Sequence, residues 1–173
     1  MIGITNFEVI SPDIEELAPP GLSPEETVSV IALQKATCVL NKRSAHDTII
    51  AADTLVYLDG RPIGKPADPD DAAAMLRELS GRRHSVYTGL ALLHNGEQLV
   101  ATEMTNVYFR YVSDTEICDY VKTGEPMDKA GAYAAQGMGA IFVERVEGDF
   151  FNVMGLPLCR LSKMLKDFGV VTS

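Results

Sequence analysis

Three side chains of this sequence have the types and the spacing to do chemistry: Lys35, Asp53 and Lys65. Asp53 sits inside Thr48-Ile-Ile-Ala-Ala-Asp-Thr-Leu-Val-Tyr-Leu58, an apolar, β-branched run with the composition of a strand buried on both faces. A buried carboxylate must be paired, hydrogen-bonded or bound to a metal. Lys65 follows the strand, between Gly64 and Pro66. An acid in a strand and a lysine on the loop beyond it can meet at one edge of a sheet. Lys35 falls on the apolar stripe of a helix, where it must snorkel to water or point into a polar cleft. Taken singly, each lysine reads as a solvated side chain. Asp53 alone reads as a structural acid bonded to a neighbouring loop, as a ligand for Mg²⁺, or as a general base towards water. Two ammonium groups bracketing a carboxylate read instead as phosphate contacts. Glu15, Asp128 and Lys129 are the other ionisable groups in glycine-rich or apolar settings. Gln136 lies between Gly131 and Gly137, where an amide in a turn could read a base edge.

Regular elements must hold these residues in place. Ile4 to Ser11 reads as a short strand. Ser23-Pro-Glu-Glu26 has the form of a helix start, with Ser23 as N-cap, Pro24 in the first turn and Glu26 closing a capping box. That helix is expected to run to about Leu40, with Val28, Ile31, Ala32, Val39 and Leu40 as its apolar stripe. The central strand ends at a turn, Leu58-Asp-Gly-Arg61. Asp68-Pro-Asp-Asp71 opens a second helix that stops at Gly81. His84 to Leu93 and Gln98 to Val112 read as strands joined by an Asn95-Gly96 hairpin. His84 and Thr88 alternate with apolar residues and read as a solvent face. Ser113-Asp-Thr-Glu116 is a second capping box, for a helix ending at Gly124. Glu125 to Tyr133 does not read as a regular element. Ala140 to Val146 reads as a strand, and a last helix spans about Pro157 to Phe168. Strands and helices mix without strict alternation, which is the pattern of an α/β fold with a mixed sheet.

The totals narrow the class. A chain of 173 residues, 46% of them hydrophobic, is the size of one domain, or one domain with two lobes. A net charge of −9 argues against general nucleic-acid binding, because the phosphate backbone would be repelled. Cys38, Cys118 and Cys159 are far apart, with no CxxC pair, which argues against a disulfide framework or a zinc site and fits a reducing compartment. No apolar run reaches the roughly 18 residues of a membrane span. The N-terminal residues have no basic region followed by an apolar one, so a cytoplasmic protein is expected. No Walker A loop, GxGxxG fingerprint or Ser/His/Asp triad is present. Spacing alone describes an anion-binding α/β domain.

Six motifs in order go further. Ala52-Asp-Thr54, Gly64-Lys-Pro66, Leu79-Ser-Gly81 with His84-Ser-Val-Tyr-Thr88, Glu125-Pro-Met-Asp-Lys-Ala-Gly-Ala-Tyr133, Gln136-Gly137 and Met154-Gly-Leu-Pro157 together resemble the Maf family of nucleoside triphosphate pyrophosphatases. The resemblance runs from about Gly3 to Phe168. It implies an α/β fold similar to the inosine triphosphate pyrophosphatases, with a mixed twisted sheet, flanking helices and two lobes around a cleft. It implies hydrolysis between the α- and β-phosphates of a nucleotide, a divalent cation (Mg²⁺ or Mn²⁺) and a homodimer. The family's catalytic acid matches Asp53 and its lysines match Lys35 and Lys65. Glu15 matches a further acid, placed with substrate and, beside Asp53, with the metal; Lys129 is placed with substrate. Thr54 and Gln136 match the dTTP/UTP subgroup, whereas the 7-methyl-GTP subgroup differs at both places. Family members usually begin with an apolar strand and a Ser-x-Ser-Pro-Arg-Arg phosphate loop, and that motif does not occur here. The expectation is therefore a single Maf-like domain over 1–173 without that segment, and reduced turnover. The alternatives are a 7-methyl-GTP pyrophosphatase and a catalytically impaired nucleotide-binding module linked to cell division and septum formation.

Overall fold

The structure is a computed structural model that describes residues 4, 6–44 and 46–170. Its elements are α1 (Pro24–Leu40), β1 (Ile49–Leu58), β2 (Arg61–Ile63), α2 (Pro69–Leu79), β3 (Arg83–His94), β4 (Glu97–Phe109), α3 (Asp114–Lys122), β5 (Val143–Glu147), α4 (Phe150–Val153) and α5 (Leu158–Asp167). Three short 3-10 turns, Glu125–Asp128, Ala130–Ala132 and Met138–Phe142, fill the stretch between α3 and β5. This is the expected α/β class: one sheet in the order β2-β1-β3-β4-β5, with helices beside it.

Hairpin chemistry sets much of the topology. At Asp59-Gly60 both residues have positive φ, 51° and 78°, the twist a two-residue hairpin needs. The register Val56↔Ile63, Tyr57↔Pro62 and Leu58↔Arg61 follows. Asn95-Gly96 repeats the device at 49° and 83°, joining β3 to β4. β4 pairs antiparallel with β5, Asn106 opposite Glu147. For β1 and β3, Thr48 meets His94 (3.0 Å) and the Tyr57 and Tyr87 rings meet edge-on (5.5 Å). These two contacts, at opposite ends of the pair, fix an antiparallel pairing. The mixture of directions expected from the irregular alternation is thus not seen among the described strands.

The chain divides into two compact units, the first made of Met1–Asp53, Thr88–Glu103 and Gly155–Ser173, the second of Thr54–Tyr87 and Met104–Met154. In the first unit, period-2 alternation splits β3 between two faces. Ala91 and Leu93 pack with Ile49 against Ala32, Ala36 and Val39 of α1, while Leu90 and Leu92 pack against Leu161, Met164 and Leu165 of α5. Helix α1 lies so close to β3 that a Cβ on Gly89 would come within 2.3 Å of the Val28 carbonyl oxygen. In the second unit, Val56, Leu58, Val86, Val107 and Phe109 of the strands pack against Leu76 and Leu79 of α2, Ile117 and Tyr120 of α3, and Tyr133 and Phe142 of the irregular stretch.

Both capping boxes form: Ser23 and Ser113 accept from the backbone N–H of Glu26 and Glu116, whose carboxylates accept in return from the cap N–H groups. Three expectations need correction. Asn6 to Ser11 form no strand, because a strand needs a neighbour to pair with and none reaches this stretch among the described residues; Phe7 and Val9 are exposed. The last strand begins at Val143, since Met138–Phe142 turns in 3-10 form instead. His84 and Thr88 are buried, not on a solvent face. The central strand is also less enclosed than its composition suggested, with Ile50 38% exposed. No helix among the described residues is long and apolar enough to cross a membrane.

Candidate active site

Strand parity puts Asp53 on the face of β1 that carries Ile49 and Ala51, and α1 covers that face. Lys35, between Ala32 and Ala36 on the inward side of α1, therefore meets it. The Lys35 Nζ donates to Asp53 Oδ1 at 2.6 Å. The same ammonium pairs with Glu16 Oε1 at 2.8 Å. Asp53 is only 6% exposed and the Lys35 side chain 18%. Burial works against the ammonium, but the hydrogen bonds to Asp53 and Glu16 outweigh it and raise the Lys35 pKa above its ordinary value. The lysine on the apolar stripe is thus a half-buried counter-ion. Glu16 had no signal in the sequence beyond its neighbour Glu15; only the path of the loop selects it.

Glu15 is exposed and lines a cavity of about 450 Å³ with Ile14, Val30, Leu33, Gln34 and Thr37. Lys35 and Asp53 are not among the lining residues. Gln34 spans the loop by donating from Nε2 to the Leu17 carbonyl at 2.7 Å.

The remaining candidates belong to the second unit. Thr54 follows Asp53 along β1 and is half-buried. Lys65 is exposed on the loop after β2, and its backbone is tied down next door, where the Gly131 N–H donates to the Gly64 carbonyl at 2.9 Å. Lys129 pairs with Asp128 at 2.6 Å. That hydrogen bond holds the Asp128 carboxyl below its usual pKa, with a smaller contribution from the Lys65 ammonium. Two lysines and an acid thus share one loop cluster. Gly131 has φ +73°, and a Cβ there would come within 3.2 Å of the Val56 side chain, so this crossing of the two loops favours glycine. Gln136 is exposed in the turn between Ala135 and Gly137.

The second unit also holds a buried polar pair. His84 Nε2 and the Tyr133 hydroxyl are 2.8 Å apart, and the imidazole is edge-on to the Phe109 ring at 5.0 Å. Burial pushes the His84 pKa down to about 4, so the ring is neutral near pH 7. Its Nδ1 has no hydrogen-bond partner among the described residues. Asn152 donates from Nδ2 to the Val86 carbonyl and to Thr105 Oγ1, both at 3.0 Å, fastening α4 to the strands.

The family model described as Maf-like protein matches residues 1–168. The chain belongs to the Maf-like protein family. Among curated relatives of this Maf-like chain, a protein of Caldicellulosiruptor bescii named dTTP/UTP pyrophosphatase is 48% identical over 168 residues, 94% of this chain and 84% of that one. One of Pelotomaculum thermopropionicum, with the same name, is 48% identical and covers 97% of this chain and 88% of its own. One of Methanosarcina mazei, also so named, is 46% identical over 95% of this chain and 84% of its own.

Among the described residues of the Maf-like chain, no group of three or more His, Cys, Asp or Glu is gathered to hold a metal ion. A hard cation that arrives with substrate phosphates needs only one or two carboxylates from the protein. Asp53 and Glu16, drawn to one ammonium, provide hard oxygen donors of that kind. These residues therefore fit a divalent cation shared with substrate phosphates.

Proposed function

We propose that this chain is a nucleoside triphosphate pyrophosphatase that hydrolyses dTTP and UTP to the monophosphate and pyrophosphate. The observation that carries the reading is the part-buried Asp53–Lys35 ion pair in a chain that is 48% identical, over 94% of its length, to a protein named dTTP/UTP pyrophosphatase.

Water attacks the α-phosphorus, a new P–O bond forms, and the bond to the oxygen bridging towards the β-phosphorus breaks, releasing pyrophosphate. Asp53 orients the water and takes its proton. Lys35, charged and held by two carboxylates, offsets negative charge that grows during the displacement. Lys65 and Lys129 serve as point charges for phosphate oxygens. Thr54 and Gln136 favour the pyrimidine. A divalent cation, when bound, neutralises polyphosphate charge; Asp53 would hold it, with Glu16 or Glu15 as the second carboxylate. The same reading makes the protein a cytoplasmic homodimer acting on free nucleotides, and light scattering tests the dimer.

The decisive experiment measures pyrophosphate released from dTTP, UTP and 7-methyl-GTP with Mg²⁺, for the natural chain and for Asp53→Asn. Release from dTTP and UTP, reduced at least about 100-fold in kcat by Asp53→Asn, is expected. No release from any nucleotide would sink the proposal, and preference for 7-methyl-GTP would move the chain to the other subgroup.

A further inference from the structure

We propose that Glu125 and Tyr120 are positioning residues that set where Gln136 stands and, through it, which base is accepted; this rests on the reading of Gln136 as a substrate contact. Gln136 lies in a stretch with no ladder to hold it. Ala134 and Ala135 before it are buried, while Gln136 itself is exposed. The Gly137 N–H closes the turn by donating to the Ala134 carbonyl at 3.2 Å, and one carboxylate ties that turn to its surroundings. Glu125 Oε1 accepts from the Tyr120 hydroxyl at 2.8 Å and from the Gly139 N–H at 3.1 Å. Its Oε2 accepts from the Met138 N–H at 3.0 Å. The Tyr120 oxygen accepts in turn from the Ala134 N–H at 3.1 Å. The backbone is therefore tied two residues before Gln136 and two and three residues after it.

The fit around the carboxylate is close. A Cβ on Gly137 would come within 2.4 Å of Glu125 Oε2, so a side chain there would push the carboxylate off its donors. Tyr120 is 4% exposed and meets Phe142 edge-on at 5.1 Å, which seats the clamp on the core. Burial opposes charge on Glu125, but the three donors outweigh it and lower its pKa. An amide cannot replace this carboxylate. Each oxygen faces a backbone N–H, so either orientation of a glutamine sets N–H against N–H. The turn that carries Gln136 must shift.

A role through Gln136 makes a claim that simple structural support does not: the effect of Glu125 must vanish when Gln136 is already gone. The experiment compares natural chain, Glu125→Gln, Gln136→Ala and the double variant for kcat and KM on dTTP and 7-methyl-GTP, with thermal unfolding of each. Glu125→Gln is expected to lower kcat/KM for dTTP about tenfold, through KM, and to narrow the preference over 7-methyl-GTP. In the Gln136→Ala background the same change is expected to matter less than about twofold. Tyr120→Phe, which removes one hydroxyl without opening a large cavity, is scored by the same criteria and stands alone if Glu125→Gln does not fold. Equal losses in both backgrounds, or equal losses for both nucleotides, overturn the assignment and leave the reading of Gln136 intact. A Gln136→Ala variant with unchanged nucleotide preference overturns that reading and the assignment with it.

Discussion

At the scale of single residues, the charge of Asp53 is balanced by Lys35, and Lys35 is shared with Glu16. The two adjacent acids Glu15 and Glu16 are thereby separated by geometry. If Glu16 supplies the second carboxylate, Glu16→Gln raises the Mg²⁺ concentration needed for half-maximal pyrophosphate release about tenfold, and Glu15→Gln changes it little. The reverse ranking would return the role to Glu15. His84 makes a different kind of prediction. Its pKa falls from 6.5 to about 4 on folding, because the buried site disfavours the imidazolium. The unfolded chain therefore takes up a proton below pH 6.5 that the folded chain refuses until about pH 4. Stability must decline as pH falls through this window, by about 3 kcal/mol in all. Denaturant unfolding from pH 7 to pH 4 measures the decline, and His84→Gln is expected to remove most of it.

At the scale of elements, the tightest constraint is the crossing of α1 over β3. A Cβ on Gly89 would run into the Val28 carbonyl and the Ser29 amide, all backbone, so nothing flexible can yield to a side chain. Gly89→Ala should destabilise by about 3 kcal/mol and displace α1, and with it Lys35, from β1. The measurement is the unfolding midpoint together with pyrophosphate release; a neutral effect on both would show that the helix is free to move away. Many elements were legible before the structure was. Capping boxes, Asp-Gly and Asn-Gly turns and the Gly81 and Gly124 stops are local chemistry, and they lie where local chemistry put them. The strand expected over Ile4 to Ser11 does not form over Asn6 to Ser11, because a strand exists only through a partner. The sequence marks Glu125 to Tyr133 as irregular and Ala140 to Phe142 as strand, and neither as a clamp, since the order there draws on one carboxylate reaching across 13 and 14 residues.

At the scale of the whole molecule, a net charge of −9 coexists with a local cluster of Lys65 and Lys129. A small anion is attracted over a few ångströms, whereas a polymer samples the field of the entire surface, which decays over about 8 Å in physiological salt. The chain should therefore turn over free nucleotides while leaving duplex DNA unretarded in a gel at physiological salt; tight DNA binding would overturn this. The sequence alone determined the α/β class, most element boundaries and the family, and it nominated Asp53, Lys35 and Lys65 as candidates. It could do so because these follow from local propensity, from period and from ordered motifs. Only the tertiary structure decided that Lys35 answers Asp53, that Glu16 joins them ahead of Glu15, that His84 is buried against Tyr133 and that Glu125 ties the turn of Gln136. Each of those depends on which faces of distant segments meet. Spacing along the chain does not encode that; strand parity, helix register and close backbone packing do.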